Sequence, residues 1–489
     1  MSERRVLRRI LVANRGEIAV RVIRTCRRLG IETVLTVSDA DTESMPARLA
    51  DQVVRIGPAP AAASYLNVEA VVAAAVSAGV DAVHPGYGFL SENARLARAC
   101  AEAGIVFIGP EPATLAATGD KLAAREHAIA AGLPVLPGGH VSAAGDGGTG
   151  APAVADTARE AANSEAAGLA SATGVAGRIG FPVLVKAAGG GGGRGLRVVR
   201  DPADLEHAVA IASSEALAAF GDARVYLERY VERGRHVEVQ ILGDGERVIH
   251  LGDRDCSVQR RYQKLIEEAP APGLGADLRQ RLRAAAVALG VQLGYRGAGT
   301  VEFLLDADRG EFYFLEVNAR IQVEHPVTEA ITGVDIVAEQ LAIAEGRNRR
   351  LTQEDVTFSG HSIEVRLNAE DPGRDFQPSP GTVTRAVLPS GPGVRVDTHV
   401  QAGATVPPYY DSLLAKVIAC ASDRDGALAT LRLALDRCGI DGVTTNLDLH
   451  RALLADPEFA AGEVDTGYLA RWIAGRRFTK ARSGGTGHG

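Results

Sequence analysis

Hydrophobic and polar positions alternate along the first 120 residues in two periods. Short apolar runs at 10–13, 33–38, 52–56, 82–84 and 105–108 read as strands. Between them, Ile18, Val22, Cys26 and Leu29 mark one face of a helix. Further helices are predicted at 68–78 and at 91–103, the latter with Ser91 as its N-cap. Strand–helix alternation of this kind predicts an open, doubly wound parallel sheet. Its first turn, Ala13-Asn14-Arg15-Gly16-Glu17, lacks G-x-G-x-x-G, which argues against a dinucleotide site and against a dehydrogenase.

The pattern then changes. Residues 138–178 are dominated by Gly, Ala, Ser and Thr without an aromatic residue, predicting a mobile loop followed by a weak Ala-rich helix with no chemistry of its own. A strand at 181–187 opens into a glycine run at 188–195, and a second strand follows at 196–199. Strands at 225–228, 236–242, 248–251, 299–305 and 311–317, with a helix at 277–293, predict an antiparallel sheet. Beyond 345 come strands at 362–367 and 414–421 and a helix at 425–438. The expected organisation is α/β. It has an N-terminal domain over 1–120, a central domain over 121–345 whose lid spans about 135–230, a C-terminal α+β domain over 346–475, and a flexible tail over 476–489.

Bulk properties narrow the class. The net charge is -7 with acidic and basic residues interleaved, so no footprint for nucleic acid or an anionic membrane is present. The N-terminus lacks a secretory apolar core, and no stretch reaches the roughly 18 apolar residues of a membrane span. Five scattered cysteines without C-x-x-C spacing fit reduced thiols, so the expectation is a soluble cytoplasmic enzyme. Of 53 Lys plus Arg, only Lys121, Lys186, Lys264, Lys416 and Lys480 are lysine. A lysine retained against such a bias suits a role that needs a compact ammonium, as phosphate coordination does.

The glycine run, including Gly191, Gly192 and Gly193, lets backbone N–H groups converge on an oxyanion, with Lys186 at the adjoining strand end. Here the lysine precedes the glycines and a strand follows them, which disfavours a P-loop. Glu302 and Glu316 stand in two otherwise apolar strands joined by Asp308-Arg309-Gly310. A three-residue hairpin with left-handed Gly310 sets the glutamates opposite each other with Asn318 on the same face. A pairing slipped by one residue would put them on opposite faces. Facing buried carboxylates with an amide oxygen suit Mg²⁺ bridging to phosphates. Immediately after, Arg320, Gln322 and Glu324 offer a fork, an amide and a candidate general base for a small anion. In Ile363-Glu364-Val365-Arg366-Leu367-Asn368, Arg366 shares a face with Glu364 and Asn368, able to meet negative charge or to pair with Glu364.

Several long motifs together give a resemblance. Ala13-Asn14-Arg15-Gly16-Glu17-Ile18-Ala19, His84-Pro85-Gly86-Tyr87-Gly88-Phe89-Leu90-Ser91-Glu92-Asn93, Gly119-Asp120-Lys121, Arg254-Asp255-Cys256-Ser257, Glu267-Glu268-Ala269-Pro270-Ala271-Pro272 and 320–325 stand in one order. On these, the chain resembles the biotin carboxylase family of ATP-grasp ligases over nearly its full length, the 138–178 insertion excepted. The resemblance implies ATP, Mg²⁺ (or Mn²⁺), bicarbonate and carrier-bound biotin. It implies Lys121, Lys186, His236 and Gln259 on ATP, Glu228 and the Val231 backbone at adenine, and Glu302, Glu316 and Asn318 on magnesium. It further implies Lys264, Arg320, Gln322 and the Val323 backbone at bicarbonate, Glu324 as base, Arg366 facing the biotin enolate, and Tyr87 and Gly88 lining the biotin pocket.

Two departures stand out: Tyr262 where the family commonly has His, and the length of the insertion. Met1 and Met45 are the only methionines, so no biotinylated lysine lies between methionines. A separate biotin carboxyl carrier protein and a carboxyltransferase are therefore the expected partners, with a homodimer implied by resemblance. The competing readings are another ATP-grasp carboxylate–amine ligase, or a catalytically silent nucleotide-binding subunit.

Overall fold

The computed structural model describes residues 6–141, 172–187, 196–220, 223–346 and 351–475. Gly191, Gly192 and Gly193, most of the insertion and the C-terminal tail lie outside the described residues.

The first sheet is parallel, in the order Gln52–Gly57, Glu32–Ser38, Arg9–Val12, Ala82–His84, Val106–Phe107. Ile18, Val22 and Cys26 of helix Gly16–Arg28 are buried against it, whereas Leu29 caps the helix and is exposed. The helix simply ends before the predicted stripe does. Ser91 is not an N-cap, because helix Ala94–Glu102 begins later and the Asn93 side chain accepts from the N–H groups of Arg95 and Leu96. Asn and Ser cap comparably well, so the end of the preceding turn decides between them.

A four-stranded antiparallel sheet follows, in the order Gly138–Val141, Val225–Arg229, Val183–Ala187, Arg197–Val199. Here the sequence misleads twice. Strand Val225–Arg229 belongs to this sheet and not to the large one, and the glycine-rich start of the predicted loop is a strand. At Gly138 a Cβ would lie 2.5 Å from the Leu227 carbonyl oxygen, so the glycines permit close strand pairing rather than flexibility. The predicted Ala-rich helix occupies 172–179 within the described residues.

The large sheet has eight antiparallel strands, in the order Glu311–Asn318, Arg296–Asp306, Gly234–Asp244, Val248–Arg260, Gln263–Ala269, His361–Asn368, Leu413–Ala421, Val394–Thr398. It runs without a break across residue 345, because Glu267 pairs with Glu364 and Ile266 with Val365. Strand Val248–Arg260 is far longer than the predicted 248–251. The polar run after Leu251 reads as a strand end, yet Asp253 and Arg254 are wholly buried. Arg279 and Arg283 compensate Asp253, while Arg254 donates to Glu238, Gln240, Thr300 and Thr328. Buried charges are tolerated when paired and hydrogen-bonded, as these are. Among the described residues, no helix is long and apolar enough to cross a membrane.

Candidate functional site

A cavity of about 910 Å³ opens between the parallel sheet, the small sheet and the large sheet. The strand-end loop of the first sheet supplies Tyr87 and Gly88, and the smaller sheet Lys186 and Glu228. The large sheet supplies His236, Gln259, Lys264, Glu302, Glu316 and Arg366, helix Lys121–Ala130 its Lys121, and the loop after strand Glu311–Asn318 supplies Arg320, Gln322 and Val323. Ligands in open α/β sheets favour the carboxyl edge that carries the Tyr87 loop.

The glutamate pair is built by an unexpected route. The hairpin turn has four residues, 307–310, since Asp306 pairs with Glu311 and Phe303 with Phe314. Uniform pairing from there would set Glu302 opposite Leu315 and turn Glu316 to the other face. A bulge at Leu315 shifts the register by one, so Glu302 pairs with Glu316 after all. Gly310 has the predicted left-handed conformation, with φ of 65°. The opposition expected from the sequence is present, but the turn and the bulge jointly produce it.

Glu302 is the best-partnered carboxylate in the site. Its Oε1 accepts from Lys264 and Asn318, each at 2.8 Å, and its Oε2 faces His236 Nε2 at 2.9 Å. Burial acts to raise its pKa, but Lys264 and His236 hold it well below the usual carboxylate range. His236 is raised in turn, because the Glu302 charge outweighs the effect of burial. Glu316 has no hydrogen bond or ion pair among the described residues, and burial together with repulsion from Glu302 raises its pKa. A divalent cation would relieve that repulsion, so Glu302, Glu316 and the Asn318 amide oxygen fit a hard metal ion. Glu238, paired directly across from Glu302, lies with His236 and Glu302 in a second possible ligand group.

Lys264 binds Glu238, Glu302 and Glu324 together, and its ammonium is raised well above its ordinary value because the three charges outweigh burial. Glu324 itself is completely buried and absent from the cavity wall. Its Oε1 accepts from Lys264 at 2.7 Å and its Oε2 from Arg366 at 2.8 Å. Burial is outweighed by Lys264, Arg366 and Arg254, which hold it ionised well below the usual range. The two cations therefore stand between Glu324 and the cavity. Arg366 also donates to Glu267 and forms no pair with Glu364, whose carboxyl oxygens find no hydrogen-bond partner among the described residues. Burial, with Glu324 nearby, pushes Glu267 up to about 7 despite the Arg366 contact.

Arg320 is anchored rather than free. It donates to Glu92 at 2.9 Å, to Asn318 at 2.8 Å and to Gln322 at 3.0 Å, and Glu92 also accepts from the Ala319 N–H. Lys121, Val231, Gln259, Gln322 and Val323 also line the wall. Lys186 pairs with Glu228. Tyr262 lies half exposed on the wall, in a two-residue turn where both Arg261 and Tyr262 have positive φ. Such turns favour Asn-Gly, so this one carries strain.

Sequence reasoning left Glu238, Glu92, Arg254 and Glu267 without roles. Glu238 could have been found, because His236 and Glu238 are two apart on one strand and must share a face. Glu267 could not, since its contact with Arg366 depends on sheet pairing across residue 345.

Comparison with known proteins places the chain in a family. Family models for the biotin carboxylase N-terminal domain, the carbamoyl-phosphate synthase L chain ATP-binding domain and the biotin carboxylase C-terminal domain match residues 6–115, 146–352 and 364–471. The biotin carboxylase of Pseudomonas aeruginosa is 50% identical over 95% of this chain and 98% of its own length. Among solved structures, a biotin carboxylase–β,γ-ATP complex from Campylobacter jejuni aligns with TM-score 0.87 and 43% identity, covering 95% of this chain and 99% of that one. The biotin carboxylase domain dimer of Hydrogenobacter thermophilus 2-oxoglutarate carboxylase, bound to MgADP, ADP and bicarbonate, aligns with TM-score 0.85 and 43% identity over 96% and 98% of the two chains. With three family models matching in succession, one over each of the parallel sheet, the glutamate hairpin and the Arg366 strand, and a relative 50% identical over 95% of the chain, the chain belongs to the biotin carboxylase family.

Proposed function

We propose that this chain uses ATP and bicarbonate to carboxylate the ureido nitrogen of biotin on a separate carrier protein, through carboxyphosphate. The observation that carries the reading is Glu324, ionised and held by Lys264 and Arg366 directly beside the Glu302–Glu316 pair. In this reading Lys121, Lys186, His236 and Gln259 contact ATP, the two lysines offsetting the triphosphate charge, while Glu228 and the Val231 backbone meet the adenine. Glu302, Glu316 and Asn318 would hold magnesium, which supplies charge neutralisation at the phosphates when bound.

Bicarbonate enters between Arg320, Gln322, the Val323 backbone and Lys264. As Lys264 turns toward the anion it loosens from Glu324, whose pKa rises toward that of a working base. Glu324 then takes the bicarbonate proton, and a bicarbonate oxygen attacks the γ-phosphorus as ADP leaves. Carboxyphosphate breaks into carbon dioxide and phosphate beside biotin, in a pocket bounded by Tyr87 and Gly88. The released phosphate takes the ureido N–H proton, and the nitrogen then attacks carbon dioxide to form the N–C bond. Arg366, which cannot deprotonate at working pH, faces the enolate form of the ureido group. Excluding water from this enclosed space protects the intermediate.

The division into an N-terminal domain over 1–120, a central ATP-grasp domain over 121–345 and a C-terminal domain over 346–475 belongs to the same proposal. So do a carboxyltransferase partner and a homodimer, the latter supported by the dimeric Hydrogenobacter domain. That relative is part of a 2-oxoglutarate carboxylase, so the fold does not select the final acceptor. The expected outcome for Glu324→Gln and for Arg366→Ala is loss of biotin-stimulated, bicarbonate-dependent ATP hydrolysis by a factor on the order of 100 or more, with ATP affinity retained. Stimulation of the wild type by an amine instead of biotin would point to a carboxylate–amine ligase.

A further inference from the structure

Among the described residues, Lys416 is the one lysine that the proposed chemistry leaves unused. It is completely buried on strand Leu413–Ala421 and pairs in register with Arg366, so both cations project from the same side of the sheet. Like charges in that relation repel unless each is separately compensated. Arg366 takes Glu267 and Glu324, whereas Lys416 donates to the Val323 carbonyl at 2.8 Å and lies 3.2 Å from Glu17 Oε1 and 3.8 Å from Asp397. The pair thus grips two consecutive residues of one loop: Lys416 the backbone of Val323, Arg366 the carboxylate of Glu324.

The contacts continue outward. Glu17 Oε1 also accepts from the Tyr87 hydroxyl, and burial together with the Glu17 charge raises Tyr87 well above its ordinary pKa, so the hydroxyl remains a donor. An unbroken polar path therefore runs from Tyr87 through Glu17 and Lys416 to Val323. Its ends are the loop lining the biotin side of the cavity and the loop assigned to bicarbonate. Lys416 is absent from the cavity wall, so it acts only through these neighbours. A compact ammonium can point at three acceptors from one buried position, which a planar guanidinium cannot copy.

We propose that Lys416 is a positioning residue that sets the Val323–Glu324 loop and, through Glu17 and Tyr87, ties its placement to occupancy of the biotin pocket. This rests on the functional reading above. The test is steady-state kinetics with free biotin on Lys416→Met, Lys416→Arg, Tyr87→Phe and Lys416→Met/Tyr87→Phe, alongside ATP affinity and melting temperature. A misplacement of about 1 Å can cost on the order of 100-fold in rate. Lys416→Met should therefore lower kcat by about that factor and raise the bicarbonate KM roughly tenfold, with ATP affinity unchanged. Lys416→Arg should recover part of the loss. Tyr87→Phe should raise the bicarbonate KM more modestly, and the double variant should be no worse than Lys416→Met, because the path is already cut.

Wild-type kinetics in Lys416→Met, additive effects in the double variant, or ATP affinity falling in step with bicarbonate use would each overturn the proposal. Should Lys416→Met fail to fold, Tyr87→Phe and Glu17→Gln decide it: a raised bicarbonate KM at an unchanged melting temperature supports the path, and an unchanged KM overturns it. Absence of bicarbonate- and biotin-dependent ATP hydrolysis in the wild type would instead overturn the functional reading itself, and this inference with it.

Discussion

At the scale of single residues, the molecule concentrates charge where most proteins avoid it, and each buried charge discussed here except Glu316 and Glu364 has identifiable partners. Asp397 shows the energetic consequence away from the proposed chemistry. It accepts from Arg395 at 2.9 and 2.8 Å, and Lys416 is also near. Burial alone would raise its pKa, but Lys416 and Arg395 lower it to about 2 from 3.8. A carboxylate depressed on folding stabilises the native state fully above its unfolded pKa, and that contribution is lost as pH falls through the folded value. Asp397 should therefore contribute roughly 2 kcal/mol at neutral pH that disappears between about pH 4 and pH 2. Asp397→Asn should be less stable by about that amount at pH 7, and urea melts at both ends of the window should show the difference shrinking in acid.

At the scale of elements, the hairpin 296–318 decides whether Glu302 and Glu316 can cooperate. Gly310 in its turn has φ of 65° and no atom within 4 Å of the position a Cβ would take, so Gly310→Ala meets backbone strain without a clash. The expected cost is about 1 kcal/mol of stability, read from a denaturant midpoint, with ATP affinity unaltered. Sequence periodicity is sufficient to place both glutamates on strands, because alternation is dictated by the backbone, but it brings them opposite only under the assumed three-residue turn, which the structure replaces with a four-residue turn and a bulge. It cannot reveal the Leu315 bulge, since nothing in a run of apolar residues distinguishes a three-residue turn from a four-residue turn plus a bulge. The same blindness shortens strand Val248–Arg260, because Asp253 and Arg254 read as surface until their long-range partners are known. Ser91 and Asn93 are both good caps, and only the path of the preceding turn separates them. Lys416 is conspicuous for its rarity in the sequence but has no role there, because its contacts with Glu17 and Val323 are set by packing between distant segments.

At the scale of the whole molecule, the cavity exists only when all three sheets are in place: Tyr87 comes from the first, Lys186 and Glu228 from the second, and Glu302, Lys264 and Arg366 from the third. A ligand spanning that cavity binds the native state alone, and at 100 times its dissociation constant it stabilises by about 2.7 kcal/mol. Mg-ATP should accordingly raise the melting temperature. ATP with a chelator should raise it much less, because the repulsion between Glu302 and Glu316 then stays unrelieved. The continuous sheet across residue 345 also explains why carboxylates and cations from both sides of it form one network, with Glu267 reaching Arg366 and Val323 reaching Lys416.

The most direct measurement is transfer of labelled bicarbonate to free biotin by the purified chain with ATP and magnesium, with ADP release followed in the same reaction. The arrangement of Glu324 between Lys264 and Arg366 predicts acid-labile label on biotin, formed in step with ADP and lost in Glu324→Gln. ADP release that needs neither bicarbonate nor biotin, or undiminished labelling in Glu324→Gln, would contradict it.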